Sequence, residues 1–274
     1  MDLFQAIVLG IVQGLTEFLP VSSSGHLRIV PALAGWADPG AAFTAVIQLG
    51  TMAAVVLYFR ADLLRITHAW LRSLRDPRER DELDARLGWY LIIATIPIVL
   101  LGVAFKHQIE HGARNLYLIG TTLILLGLVL LVAEKVSRRE RDLTTITRRD
   151  AIVIGFAQAC ALIPGVSRSG ATITAGLFLG MDRVAAARFS FLLSIPAVVL
   201  SGLYELKDVV NGSADGAVGI GPTAVATVLA FIVGYLSIAF LLRFLTTHTT
   251  GVFVTYRVVL GATVLALVAS GAIS

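Results

Sequence analysis

The chain has 274 residues, of which 57% are hydrophobic and only 15% charged, with a mean hydropathy of +0.84. A soluble domain carries about a quarter charged residues, so this balance excludes an ordinary soluble enzyme, a disordered chain and a nucleic-acid binder, although the pI is near 9.5. Of the 22 Lys and Arg residues, 13 fall in two clusters beside apolar runs, at 60–86 and 135–149, the pattern of cytoplasmic loops in a membrane protein.

From the N-terminus, residues 1–19 are apolar but lack a basic flank, so no cleavable signal peptide is expected. The apolar region 4–34 is broken in its middle by Pro20-Val21-Ser22-Ser23-Ser24-Gly25-His26. Segments of roughly 20 apolar residues, enough to cross a bilayer, follow at 41–59, 88–105 and 115–133. A second broken region, 151–181, is interrupted by Pro164-Gly165-Val166-Ser167-Arg168-Ser169-Gly170, and three more spans follow at 185–206, 222–242 and 252–273. Backbone freed by Pro, Gly and Ser is tolerated at membrane depth only inside protein or beside a water-filled cavity. Both broken regions are therefore expected to be re-entrant helix–loop–helix hairpins.

The two hairpins are copies of each other. At a constant offset of 145 residues, 6–25 and 151–170 share nine identities in 20 positions, including the Gln at 13 and 158 and the V-S-x-S-G core. Three spans separate the copies, so the second must be inverted across the bilayer, as in many transporter folds with a site at the repeat interface. The expected fold is an all-α polytopic membrane protein with six transmembrane helices plus two re-entrant hairpins. It forms a single membrane domain over 1–274, with inverted repeats at 1–140 and 147–274. Placing the two basic clusters inside puts 106–114, 207–221 and both termini outside.

The chemistry gathers at the breaks. Gln13 and Glu17 are four apart, hence on one helix face, and Glu17 is the only acid or base other than His26 between Phe4 and Leu27. A carboxylate within the membrane is expensive and points to function with a partner; the bland alternative is a helix-end carboxylate reaching for the interface. His26 shares its loop with Glu17 and three hydroxyls. Arg168 is the only charge between Ala151 and Met181, and its guanidinium fork suits bidentate phosphate binding, though it could equally neutralise Glu17. Gly25, Gly165 and Gly170 let backbone N–H groups approach an anion, and the helix start after each loop adds its positive end. With Ser22, Ser23, Ser24, Ser167, Ser169 and Thr172, the loops suit phosphoryl chemistry on a lipid head group. A hydroxyl or imidazole would attack, and His26 or Glu17 would move protons. Mg²⁺ or Ca²⁺ could share Glu17 and Gln13 with the phosphates. Zinc is not expected, since His26 has no second His or Cys at ligand spacing. The lone Cys160 excludes an internal disulfide and a Cys-rich metal site, and His68, His107, His111 and His248 sit in loops or at span ends.

These residues resemble the undecaprenyl-pyrophosphate phosphatase family associated with bacitracin resistance. Its E/Q-x-x-x-E motif stands here as Gln13 to Glu17, followed by Ser22-Ser23-Ser24-Gly25-His26, and its P-G-x-S-R-S-x-x-T motif runs in full from Pro164 to Thr172. The resemblance implies hydrolysis of a C55 polyprenyl diphosphate to the monophosphate and phosphate at the outer face of the bacterial inner membrane, recycling the carrier lipid of wall synthesis. It implies Glu17, His26 and Arg168 as the essential set, with Ser23 or Ser22 as candidate nucleophile and attack by His26 or directly by water left open, and membrane lipid as surroundings, and it is compatible with a homodimer. Gln at position 13 costs the site one ligand charge. The acid-phosphatase-like lipid phosphatases are excluded, because Thr174 stands where their S-R-x5-H motif requires His, and no K-x6-R-P occurs. The rival class is a lipid flippase or secondary transporter, which the repeats would suit. Against it, His26 beside a serine run supplies reactive groups as well as binding groups.

Overall fold

The structure is a computed structural model that describes residues 1–105, 115–210 and 219–273. Among the described residues, eleven α-helices make up the framework: α1 Leu3–Phe18, α2 Ser23–Ala34, α3 Gly40–Tyr58, α4 Arg60–Arg75, α5 Leu83–Ala104, α6 Leu116–Val136, α7 Arg148–Ala159, α8 Arg168–Phe178, α9 Arg183–Val210, α10 Ile220–Phe244 and α11 Gly251–Ala269. Among the described residues there is no strand beyond one isolated bridge between Arg141 and Met181. Four helices among the described residues, α5, α6, α10 and α11, are long and apolar enough to cross a membrane, and the bent pair α3–α4 makes a fifth candidate. The expected span at 185–206 lies within α9. Their outer faces carry Leu100, Val103, Leu125, Leu236 and Val259, each more than half exposed. Apolar exposure of that extent suits lipid and not water. This is a multi-pass helical membrane protein.

Both expected breaks are present, at 19–22 between α1 and α2 and at 160–167 between α7 and α8. The helix starts follow from local chemistry. Asp2 caps α1 in a box with Gln5, and Thr147 caps α7 in a box with Asp150, so the two boxes stand at the same offset as the copied loops. Asp150 is tied down further by Arg141, whose Nη2 lies 2.6 Å from its Oδ2. Burial pushes the Asp150 carboxyl up, but Arg141 and Thr147 outweigh it and hold the group below the ordinary carboxylate range.

Close helix crossings rest on small residues. A Cβ at Gly10 would lie 2.5 Å from the Ala226 carbonyl oxygen on α10, and one at Gly155 would lie 2.7 Å from that of Ala94 on α5. Gly120 of α6 and Gly261 of α11 face each other in the same way. Small residues let backbones approach where no water-driven force presses helices together. The partners also exchange: α1 packs on α10 and α7 on α5, α3 packs on α10 and α9 on α5, and α6 pairs with α11.

One expectation is corrected. The basic segment 60–86, expected as a cytoplasmic loop, holds a helix: the chain bends by 75° after Tyr58 and continues as α4. Its apolar positions recur at helical spacing, so Ile66, Ala69 and Ser73 are buried against α5 while Leu64, Leu71 and the arginines face out. Gly88 admits this packing, since a Cβ there would come 2.8 Å from Trp70 Cβ. Of the two segments expected on the outer side, 106–114, with His107 and His111, and residues 211–218 of 207–221 lie outside the described residues.

Candidate active site

The helices that follow the breaks start alike. Ser22 and Ser167 both adopt positive φ, 77° and 73°, and each caps its helix by accepting from the backbone N–H three residues on, that of Gly25 or Gly170. Each also bonds to the serine two residues on, Ser22 to Ser24 at 3.3 Å and Ser167 to Ser169 at 3.2 Å. Ser23 and Arg168 are thus the first residues of α2 and α8, at equivalent places in the two copies.

Glu17, in the last turn of α1, joins these two helix starts. Its Oε1 is ion-paired with Arg168 Nη2, and its Oε2 accepts from Ser23 Oγ at 2.5 Å and from Gln13 Nε2 at 3.2 Å. The carboxylate is 7% exposed and the guanidinium 18%. Gln13 also donates to Thr51 Oγ1 at 3.3 Å, and its own Oε1 is buried without a hydrogen-bond partner. Turning the amide over would set that oxygen against the Glu17 carboxylate, so the present orientation is the favourable one. His26 belongs to a second set: Nδ1 lies 2.7 Å from the Ser22 carbonyl oxygen and Nε2 2.6 Å from Tyr256 Oη.

Of the expected residues, the structure gathers Gln13, Glu17, Ser23 and Arg168 into one bonded group, with His26 three residues beyond Ser23 on α2. The others are engaged in holding the loops. Ser22 and Ser167 are caps; Ser169 Oγ donates to the Leu19 carbonyl at 3.0 Å, and Thr172 shares a 2.6 Å bond with Ser190. Gly170 N–H is taken by Ser167, and a Cβ at Gly170 would meet Arg257 Nη1 at 2.8 Å. Gly165 has φ +83°, which favours glycine, and any Cβ there would collide with Thr122 and Ile119. These two glycines therefore serve close packing. Ser24 is exposed. His68 lies exposed on α4, and His248 is exposed, stacked on Phe244 at 4.4 Å.

Sequence reasoning missed three residues. Arg257 is wholly buried, and its guanidinium donates to the carbonyls of Pro20, Leu123, Thr122, Gly165 and Val166, between 3.1 and 3.4 Å, stitching both breaks to α6. Among the described residues no carboxylate pairs with it. Thr122 adds a 2.7 Å bond to the Pro164 carbonyl. Tyr256 is the third. A signal for Arg257 existed, since it is the only charge within 252–273, by the same reasoning that singled out Arg168.

The fold and these groups define a multi-pass membrane protein with a buried carboxylate–guanidinium–hydroxyl site at the meeting point of two broken helix pairs. The model of the family described as bacitracin resistance protein BacA matches residues 6–263, and the chain belongs to that family. It is similar to proteins named undecaprenyl-diphosphatase from Nocardioides sp., 59% identical over 273 residues covering 100% of this chain and 99% of the relative. Relatives of the same name occur in Chlorobaculum parvum, at 54% identity with 99% of each chain covered, and in Paenarthrobacter aurescens, at 53% with 100% of each.

Proposed function

We propose that the protein hydrolyses undecaprenyl diphosphate to undecaprenyl phosphate and inorganic phosphate. The observation that carries this reading is Glu17, one carboxylate that bridges the hydroxyl at the start of α2 and the guanidinium at the start of α8. Two helix N-termini and Arg168 offer an anion its donors. A phosphate that takes Arg168 away from Glu17 leaves that carboxylate against Ser23 Oγ, as a base beside a nucleophile. Ser23 Oγ then attacks the terminal phosphorus and gives its proton to Glu17. The anhydride P–O bond breaks, and its electron pair leaves on the lipid monophosphate. Water cleaves the Ser23 phosphate ester, losing a proton to His26, while Ser23 Oγ recovers its proton from Glu17. Ser22, spent as a cap at positive φ, is the weaker nucleophile candidate. The relatives' name supports this reaction over a flippase or transporter.

A hard divalent cation fits the donors: Glu17 is the one carboxylate in the bonded group among the described residues, and Gln13 Oε1 is an orphaned buried oxygen. With its amide turned so that Oε1 joins the carboxylate in place of Nε2, Gln13 would hold Mg²⁺ or Ca²⁺ together with Glu17 and so neutralise phosphate charge.

The exchanged partners, α1 on α10 with α7 on α5, support an inverted repeat of 1–140 and 147–274 with six spans and two re-entrant hairpins. The hairpin helices support re-entry as well, each of 11 to 16 residues and so no more than about 24 Å long, short of the ~30 Å hydrocarbon core. The exposed Lys135, Arg138, Arg148 and Arg149 support an inside position for that end of the molecule. The site would then open toward the outer face of a bacterial inner membrane.

Phosphate release from C15 and C55 polyprenyl diphosphates by the purified protein in detergent, with EDTA and with added Mg²⁺ or Ca²⁺, tests the reading. Release that Glu17→Gln and His26→Ala both abolish is expected. A folded protein that releases none with any metal would overturn it.

A further inference from the structure

The reaction above leaves Tyr256 without a task, and the geometry supplies one. His26 is 5% exposed and has both ring nitrogens occupied, Nδ1 by the Ser22 carbonyl at 2.7 Å and Nε2 by Tyr256 Oη at 2.6 Å. A carbonyl only accepts, so Nδ1 carries hydrogen; in a neutral imidazole Nε2 is then the acceptor and the phenol donates to it. The two rings lie nearly parallel, 6° apart, with centroids at 5.6 Å. Tyr256 is 45% exposed, which makes the phenol the outer member of the pair. The hydrogen bonds of the buried Arg257 guanidinium go to backbone carbonyls and not to His26.

We infer that Tyr256 is a positioning residue for the hydrolysis: it holds His26 as the Nδ1–H tautomer and yields Nε2 to the reaction when a phosphate arrives. In the resting protein the phenolic O–H fills the Nε2 lone pair. An entering phosphate displaces the phenolic hydroxyl from the ring, and Nε2, still held in the same tautomer by the Ser22 carbonyl, then faces the water that cleaves the Ser23 ester. The water oxygen bonds to phosphorus, its proton goes to Nε2, and the Ser23 Oγ–P bond breaks. The inference rests on the phosphatase reading of the site.

Tyr256→Phe tests it, because the ring and its stacking remain while the hydroxyl is lost. Protein labelled with ¹⁵N-histidine carries only five histidines, and the His26→Ala spectrum assigns His26. The expected result is a shifted His26 Nε2 resonance together with a kcat on a C15 diphosphate lowered roughly tenfold, as for a misplaced catalytic group, with KM within about twofold of wild type. An unmoved Nε2 resonance overturns the inference, since the phenol then does not hold the ring. A kcat within about twofold of wild type overturns it too, since the bond then does not serve turnover. Wild-type protein that hydrolyses no polyprenyl diphosphate overturns the phosphatase reading and with it the role in turnover. The resonance shift, read without substrate, separates that failure from a missing Tyr256 bond.

Discussion

The two breaks share a scaffold and differ in chemistry. Each has a serine cap at positive φ, a second serine bonded to it, a glycine whose N–H the cap accepts, and a glutamine whose Oε1 is buried without a partner. Among the positions where they differ, three carry the chemistry: Glu17 against Leu162, Ser23 against Arg168, and His26 against Ala171. The first break therefore supplies the carboxylate, hydroxyl and imidazole, and the second supplies the guanidinium. A duplicated backbone solution to an expensive problem, polar chain inside a membrane, can be kept in both copies while the reactive side chains are divided between them.

The largest effects should follow the divergent positions. Glu17→Gln should lower kcat by on the order of 10³-fold, the usual weight of a positioned base, while Leu162→Ala at the counterpart should change it by less than about threefold. Equal losses in steady-state assays would break the comparison. Ser23→Ala should likewise abolish turnover and leave the thermal midpoint near wild type. Arg168→Lys should lose most activity, because a point charge cannot replace the fork; activity within about twofold of wild type would remove the guanidinium from phosphate binding.

The shared positions should behave as a matched pair. Ser22→Ala and Ser167→Ala each remove a cap worth about 1 kcal/mol, so thermal unfolding in detergent should show similar small drops. A Ser22→Ala variant that loses turnover with its stability intact would move the nucleophile from Ser23 to Ser22.

Asp150, which completes the capping box of Thr147 at the start of α7, adds a pH test. Its folded-state carboxyl lies below the ordinary carboxylate range. The stability it contributes is therefore fully present above about pH 4 and is lost as pH falls through the lowered folded value. Asp150→Asn should cost roughly 2 kcal/mol at neutral pH, and the gap to wild type should close below about pH 4. A gap that stays constant down to about pH 3 would contradict the role given to Arg141. The smallest effect should come from Gln13→Glu, which retains activity and shifts its dependence on added Mg²⁺ or Ca²⁺.

Much of this was legible in the sequence because its causes are local. Lipid forbids unpaired backbone and isolated charge, so Pro20 to His26, Pro164 to Gly170, Glu17 and Arg168 announce themselves wherever they stand, and the copied pattern at an offset of 145 residues announces the second loop. The bend after Tyr58 was hidden, since a basic run with helical apolar spacing looks like a loop until α5 is present to bury Ile66 and Ala69. Tertiary structure alone decided which side chains meet. Glu17 and Arg168 are 151 residues apart, and the His26–Tyr256 bond spans 230. Whether Ser22 or Ser23 faces the carboxylate depends on one residue's positive φ, and Arg257 became a stitch between the breaks only once α11 lay against α6. Composition and spacing establish the cost of placing a polar group in a membrane; only the packing of distant helices brings it the partner that makes the cost bearable.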